Sequence, residues 1–184
     1  MTGRCTMEER TVSRTTIYEG RIVKLYLDEV ELSDGKRASR EVVEHSGAAA
    51  VLALTKAREI YLVKQFRKPV EKALWEIPAG KLEAGETPLA CAQRELAEEV
   101  GLQANDFRLL AAFYTSPGFA SEKIYVYLAT GLSVQNDVQP DEEERLAVRR
   151  VPLAAAEQMI RNGEIEDAKT IAAVLLAVQL GLAR

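Results

Sequence analysis

An α+β fold with helices packed on a β-rich core is what this 184-residue sequence predicts, and three observations predict it. Short apolar runs of strand type fill the first half. One stretch, Glu86 to Val100, switches to helical period, and two further helical segments close the chain after a second pair of strand-like runs. The order β-rich, helix, β, helix, helix favours α+β or an α/β/α sandwich over a doubly wound sheet. At roughly one domain per 150 residues the chain is a single domain with a small N-terminal appendage, which divides it into residues 1–46 and 47–184.

From Thr15 to Glu44 apolar and polar residues alternate, with Ile22, Val23, Leu25, Leu27 and Val30 before Ser33-Asp34-Gly35-Lys36, and Val42 and Val43 after it. That pattern predicts an antiparallel hairpin. Ala48–Leu54 and Ile60–Phe66 are short apolar runs separated by polar Thr55–Glu59, and are expected to be neighbouring strands. In Glu86–Val100 the apolar stripe is Leu89, Ala92, Leu96 and Val100, with Thr87 and Pro88 suited to the first turn and Gly101 to the stop. Arg108–Tyr114 and Lys123–Leu128 read as strands around the loop Ser116-Pro117-Gly118. Leu146–Val151 reads as a last strand, Leu153–Arg161 as a short helix stopped by Asn162-Gly163, and Lys169–Leu182 as the closing helix.

Charge and composition exclude several classes of function. With 24 Lys+Arg against 28 Asp+Glu, a net charge of -4 and no basic run, the chain lacks the electrostatic footprint of a nucleic-acid binder. The only cysteines, Cys5 and Cys91, do not make a disulfide framework and fit a reducing cytoplasm. No signal-peptide pattern opens the sequence. The most apolar stretch, Ile171–Leu182, is too short to span a bilayer, so no membrane partner is expected.

The chemistry concentrates on the first predicted helix. At about 100° per residue, Glu95 and Glu99 fall one turn apart on a strip beside the apolar stripe, while Glu98 lies on the adjoining solvent side within reach of Arg94 at i+4. Three carboxylates in five residues repel one another unless cations intervene, and hard oxygen donors select Mg²⁺ or Mn²⁺. A Glu-rich helix with an arginine is, taken alone, more often a solvated face. The flanking residues reverse that balance: Gly80, Glu86, Arg94-Glu95-Leu96, Glu98-Glu99 and Gly101-Leu102 occur at fixed spacing.

This set resembles the Nudix box, a loop-helix-loop signature, with every defined position filled. The resemblance implies a mixed sheet sandwiched between helices and a hydrolase acting on a nucleoside diphosphate linked to another moiety. It implies Glu95 and Glu99 as principal metal ligands, Glu98 as a secondary one, and the carbonyl of Ala79 as a further ligand. Glu86 and Arg94 would brace the loop to the helix, Gly80 would let the backbone approach the metal, and Gly101 closes the box.

Outside the box, Ser116-Pro117-Gly118 with Glu122, Gln65-Phe66-Arg67 and Ser39-Arg40-Glu41 resemble segments of the ADP-ribose pyrophosphatase subgroup, in which such arginines contact diphosphate or ribose. His45, the only histidine, and Ile22 fall where relatives touch substrate. The acidic stretch Asp141–Glu144 resembles a catalytic loop, which makes Glu142 the general base and Glu144 an additional metal ligand. Glu143 is the rival base if the register shifts, and Glu98 the next candidate. The expected activity is Mg²⁺-dependent hydrolysis of ADP-ribose to AMP and ribose 5-phosphate by a cytoplasmic homodimer. A pyrophosphatase for another nucleotide sugar such as GDP-mannose is the alternative within the class. A silent Nudix module that senses nucleotides or binds RNA is the alternative outside it.

Overall fold

The computed structural model describes residues 8–135 and 147–183. Contacts divide the chain into two compact units. One takes the residues up to Gly47 together with Tyr114–Glu122, and the other takes Ala48–Phe113 and the residues from Lys123 on. The loop around Pro117 therefore groups with the N-terminal segment.

The first unit is a three-stranded antiparallel sheet of β1 (Arg10–Glu19), β2 (Val23–Glu31) and β3 (Arg37–His45), in that order. The expected hairpin is β2–β3, turned where Gly35 adopts φ 81° and Asp34 accepts the Lys36 N–H at 3.1 Å. β1 precedes it as a third strand that the sequence reading left out. Its residues, RTVSRTTIYE, carry little apolar alternation, and all ten are exposed. The register slips at Val12 and Ile17, two bulges that interrupt the period-2 pattern. The loop after β8 (Leu102–Tyr114) joins this unit through Val43 N–H to the Phe119 carbonyl at 2.7 Å and Ser121 N–H to the Val43 carbonyl at 2.9 Å.

The second unit is built on β4 (Ala48–Ala53), whose six residues are all buried. A strand with both faces covered carries no polar alternation, which is why AAAVLA reads as a continuous apolar run. β4 pairs parallel with β9 (Lys123–Val134) and antiparallel with the short β7 (Ala79–Lys81), and the four-stranded mixed sheet runs β7-β4-β9-β8. On one face Ala49, Val51 and Ala53 pack with Cys91, Ala92 and Leu96 of α1 (Pro88–Val100). On the other, Ala50 and Leu52 pack with α2 (Leu153–Arg161) and α3 (Ala168–Gln179) through Leu153, Ala156, Ala173 and Val174. This is the helix–sheet–helix sandwich that the fold class implies.

One pairing differs from expectation. Ala48–Ala53 and β5 (Glu59–Arg67) meet only at the bridge Leu54–Ile60 and then diverge. β5 instead pairs with β6 (Lys72–Glu76) and with β10 (Ala147–Pro152) in a separate three-stranded sheet. Two apolar runs joined by a tight polar turn look like a hairpin, but β4 has both neighbours supplied by β9 and β7.

Candidate active site

α1 is delimited as its sequence requires. The Thr87 hydroxyl accepts the Ala90 N–H at 3.2 Å, Pro88 occupies the first turn, and Gly101 at φ 69° returns its N–H to the Ala97 carbonyl at 2.8 Å. The buried face is Cys91, Ala92, Glu95, Leu96, Ala97 and Glu99. Leu89, expected on the apolar stripe, is exposed, because the helix turns Glu95 and Glu99 inward instead.

Both carboxylates face β7. Glu99 Oε2 accepts the backbone N–H of Ala79 at 3.0 Å. Gly80 lies so close to Glu95 that a Cβ built there would stand 1.7 Å from Glu95 Oε1. Two consecutive backbone residues thus meet two carboxylates one helical turn apart, and only glycine leaves room for the second.

Arg94 organises the rest of the box. Its fork donates to Glu86 at 2.9 and 3.0 Å, its Nη1 to Glu95 at 2.6 Å and Glu98 at 3.0 Å, and its Nη2 to the Lys81 carbonyl at 3.1 Å. Hydrogen bonding to Arg94 pulls the Glu86 carboxyl down to about 2, and the same bonds push Arg94 further up. Glu98 is the most exposed of the three helix carboxylates. Cys91 is buried, and burial first, with the neighbouring Glu86 and Glu95 charges, raises its thiol to about 12. That shift disfavours the thiolate at neutral pH.

Arg67 clasps Glu76 with two bonds of 2.7 Å. Lys169 donates to Glu76 as well, and to Asp167 at 3.0 Å. Burial acts to raise the Glu76 carboxyl, but the two cations outweigh it and hold the group ionised. Glu76, Lys169 and Thr170 form a buried polar cluster that the sequence reading did not single out. The available signal was a Glu at the inward end of Leu74-Trp75-Glu76-Ile77, since a carboxylate in such a position needs a buried partner.

In the first unit Arg40, Glu41, Pro117 and Gly118 line one open groove together with Tyr114, Phe119 and Glu9. Arg40 is occupied by Glu9 through bonds of 2.9 and 2.5 Å. Ser116 caps the neighbouring turn, accepting the N–H groups of Phe119 and Ala120. His45 Nδ1 accepts the Gly47 N–H at 3.0 Å, which leaves the ring proton on Nε2 in the neutral imidazole, and lies 3.7 Å from Glu122. Glu122 accepts instead from the Thr115 hydroxyl at 2.7 Å. Ile22 is exposed in the turn between β1 and β2 and does not line the groove. Glu142, Glu143 and Glu144 lie outside the described residues.

The NUDIX domain matches residues 44–174. The chain belongs to the Nudix family. The "Nucleoside diphosphate sugar hydrolase N-terminal domain" matches residues 9–43. The chain is 47% identical over 169 residues to an "ADP-ribose pyrophosphatase" of Bacillus subtilis, covering 91% of each. It is also 47% identical over 168 residues to a "Methanol dehydrogenase activator" of Bacillus methanolicus, again covering 91% of each. A solved structure described as an ADP compounds hydrolase superposes with a TM-score of 0.82 over 94% of both chains at 24% identity.

Nudix enzymes are generally divalent-metal dependent. Among the described residues no three His, Cys, Asp or Glu side chains are arranged as a finished cage. The donors nevertheless fit a hard divalent cation: Glu95 and Glu99 offer carboxylate oxygens against a backbone that only a Cβ-free residue can bring so near, with Glu98 adjoining. Among the described residues no helix is long and apolar enough to cross a membrane.

Proposed function

We propose that this Nudix hydrolase is an ADP-ribose pyrophosphatase, using Mg²⁺ or Mn²⁺ to convert ADP-ribose and water into AMP and ribose 5-phosphate. The observation that carries the reading is the pairing of Glu95 and Glu99 against the Ala79–Gly80 backbone, in a chain that keeps every carboxylate of the box. The B. subtilis relative supports the substrate. Glu95, Glu99, Glu98 and the Ala79 carbonyl would hold the metal, with Glu144 contributing from the acidic segment. A bound divalent cation supplies charge neutralisation for the diphosphate and acidifies the attacking water.

The chain's own residues supply the remainder. Glu142 accepts the proton of the water, with Glu143 its rival and Glu98 next in line. Arg67 spends Nε and Nη2 on Glu76, which fixes its plane and leaves Nη1 for a phosphate oxygen. Within the N-terminal unit, Arg40, which pairs with Glu9, and the adjoining groove of Tyr114 and Phe119 offer a guanidinium and aromatic faces of the kind that recognise a nucleotide. Glu41, His45, Ser116, Pro117, Gly118, Glu122 and Ile22 complete the set of substrate-facing candidates. The exposed apolar residues of β1 and β2 are read as the contact between two copies in a cytoplasmic homodimer.

The test is a substrate panel of ADP-ribose, GDP-mannose, NADH and diadenosine polyphosphates with Mg²⁺, products being separated by ion exchange. AMP with ribose 5-phosphate is the expected outcome. Mannose 1-phosphate from GDP-mannose, with ADP-ribose left intact, would replace this reading by the other nucleotide-sugar activity.

A further inference from the structure

The first turn of α3 is tied by hydrogen bonds to the start of the Glu76–Gly80 turn from the far end of the chain. Asp167 caps α3, its carboxylate accepting the Thr170 backbone N–H at 2.9 Å and also the Thr170 hydroxyl at 2.6 Å. Having donated its proton there, the fully buried Thr170 hydroxyl accepts the backbone N–H of Ile77 at 2.8 Å. Lys169, buried beside it, bridges Asp167 and Glu76. Glu76 and Ile77 are thus both tied to α3, and they immediately precede Pro78-Ala79-Gly80.

The tether continues residue by residue. The Pro78 carbonyl accepts the Val51 N–H at 2.8 Å, the Ala79 N–H reaches Glu99, and Gly80 abuts Glu95. From Glu76 to Gly80 each position has its own fixed partner, so the direction of the Ala79 carbonyl has little freedom. Stability alone does not account for the arrangement. Two carboxylates and two cations taken largely out of water cost desolvation that a well-packed apolar set of the same volume avoids. What the polar cluster adds is orientation, because a hydroxyl that donates one way and accepts the other fixes Ile77 to within a hydrogen-bond length.

We propose that Thr170 and Lys169 are positioning residues of the metal site, acting through Ile77 and Glu76 to set the register of the Glu76–Gly80 turn against Glu95 and Glu99. The proposal rests on reading that turn as the metal site, and its test reads metal affinity without substrate. Mn²⁺ is titrated into the full-length protein by calorimetry, alongside thermal unfolding and Mg²⁺ activation curves. Thr170→Val keeps the shape and removes both hydrogen bonds, and it should weaken Mn²⁺ affinity about tenfold. It should also move half-maximal Mg²⁺ activation upward while saturating metal restores most of kcat. Thr170→Ser, which keeps the hydroxyl, should bind Mn²⁺ like the wild type.

A Thr170→Val protein with lowered Tm and unchanged Mn²⁺ affinity overturns the proposal, since a merely structural role predicts that. If Thr170→Val does not fold, Lys169→Gln decides: weakened Mn²⁺ affinity supports the assignment and unchanged affinity overturns it. A wild type that binds Mn²⁺ but leaves ADP-ribose intact refutes the substrate reading and not this one. A wild type that binds no Mn²⁺ refutes the metal site and this proposal together.

Discussion

Gly80 shows how much chemistry can rest on a missing atom. Its backbone lies outside the left-handed region, so alanine meets no left-handed strain there; the three atoms nearest its Cβ all belong to the Glu95 carboxylate. That carboxylate ends a flexible side chain and can swing aside, so Gly80→Ala should cost only about 1–3 kcal/mol of stability. The displaced Glu95 no longer faces the turn, and kcat/KM should fall by about 100-fold or more, as for misplacements near 1 Å. Near-normal turnover in a folded Gly80→Ala protein would separate Glu95 from the reaction. Glu86 makes a second test at this scale. Arg94 holds its carboxyl at about 2 against an ordinary 4.5, so its contribution is complete above pH 4.5 and is lost as pH falls toward 2. Urea midpoints should therefore drop more steeply over that interval in the wild type than in Glu86→Gln, and parallel curves would contradict the ion pair. The carboxylates on α1 were legible because fixed spacing on a helix determines a shared face. Thr170 and Lys169 were not, because their partners Ile77 and Glu76 lie 93 residues away, and no local pattern records that a lysine will be buried.

At the level of elements, α1 depends on a stop that only a few residues can make. Gly101 sits at φ 69° with open space where a Cβ would stand, so a substitution there meets no clash and costs backbone strain alone. Gly101→Ala should lose about 1–2 kcal/mol, roughly 2–4 °C of Tm per kcal/mol in a chain of this size. Gly101→Asn should lose less, because asparagine tolerates the left-handed region. An alanine variant as stable as the wild type in thermal unfolding would remove the argument. Local rules of this kind made the boundaries of α1 readable in advance. They fail where an element's neighbours are chosen from a distance. The turn Thr55–Glu59 says that β4 and β5 reverse direction, yet β9 and β7 take both edges of β4, and competition for an edge is not written in the turn. β1 fails for a different reason: its bulges at Val12 and Ile17 break the alternation by which strands are recognised.

For the whole molecule the outstanding question is what covers the N-terminal sheet. Within β1, β2 and β3 only Asp28 and Val30 are buried. Asp28 is satisfied by the Arg14 fork at 2.8 and 2.7 Å, and hydrogen bonding to that arginine holds its carboxyl below the usual range. Val12, Ile17, Tyr18, Ile22 and Leu27 remain exposed. β1 is also an edge strand, paired on one side alone, and a long edge carrying apolar residues is a surface that proteins either blunt or use. The bulges blunt its backbone, but nothing in its composition removes the apolar side chains. On the proposal that a second copy of the chain covers this edge, the protein should sediment at micromolar concentration near twice 20.3 kDa. Ile17→Lys probes that contact, since Ile17 is 56% exposed and the change removes only part of one side chain's packing within the chain. It should shift the species toward one chain per particle while leaving the far-UV spectrum unchanged, with loss of activity following dissociation rather than unfolding. A wild type that sediments as a single chain at 20 µM (roughly the range in which standard-sized interfaces of modest affinity are populated) and is fully active would show that the exposed strand serves no second copy.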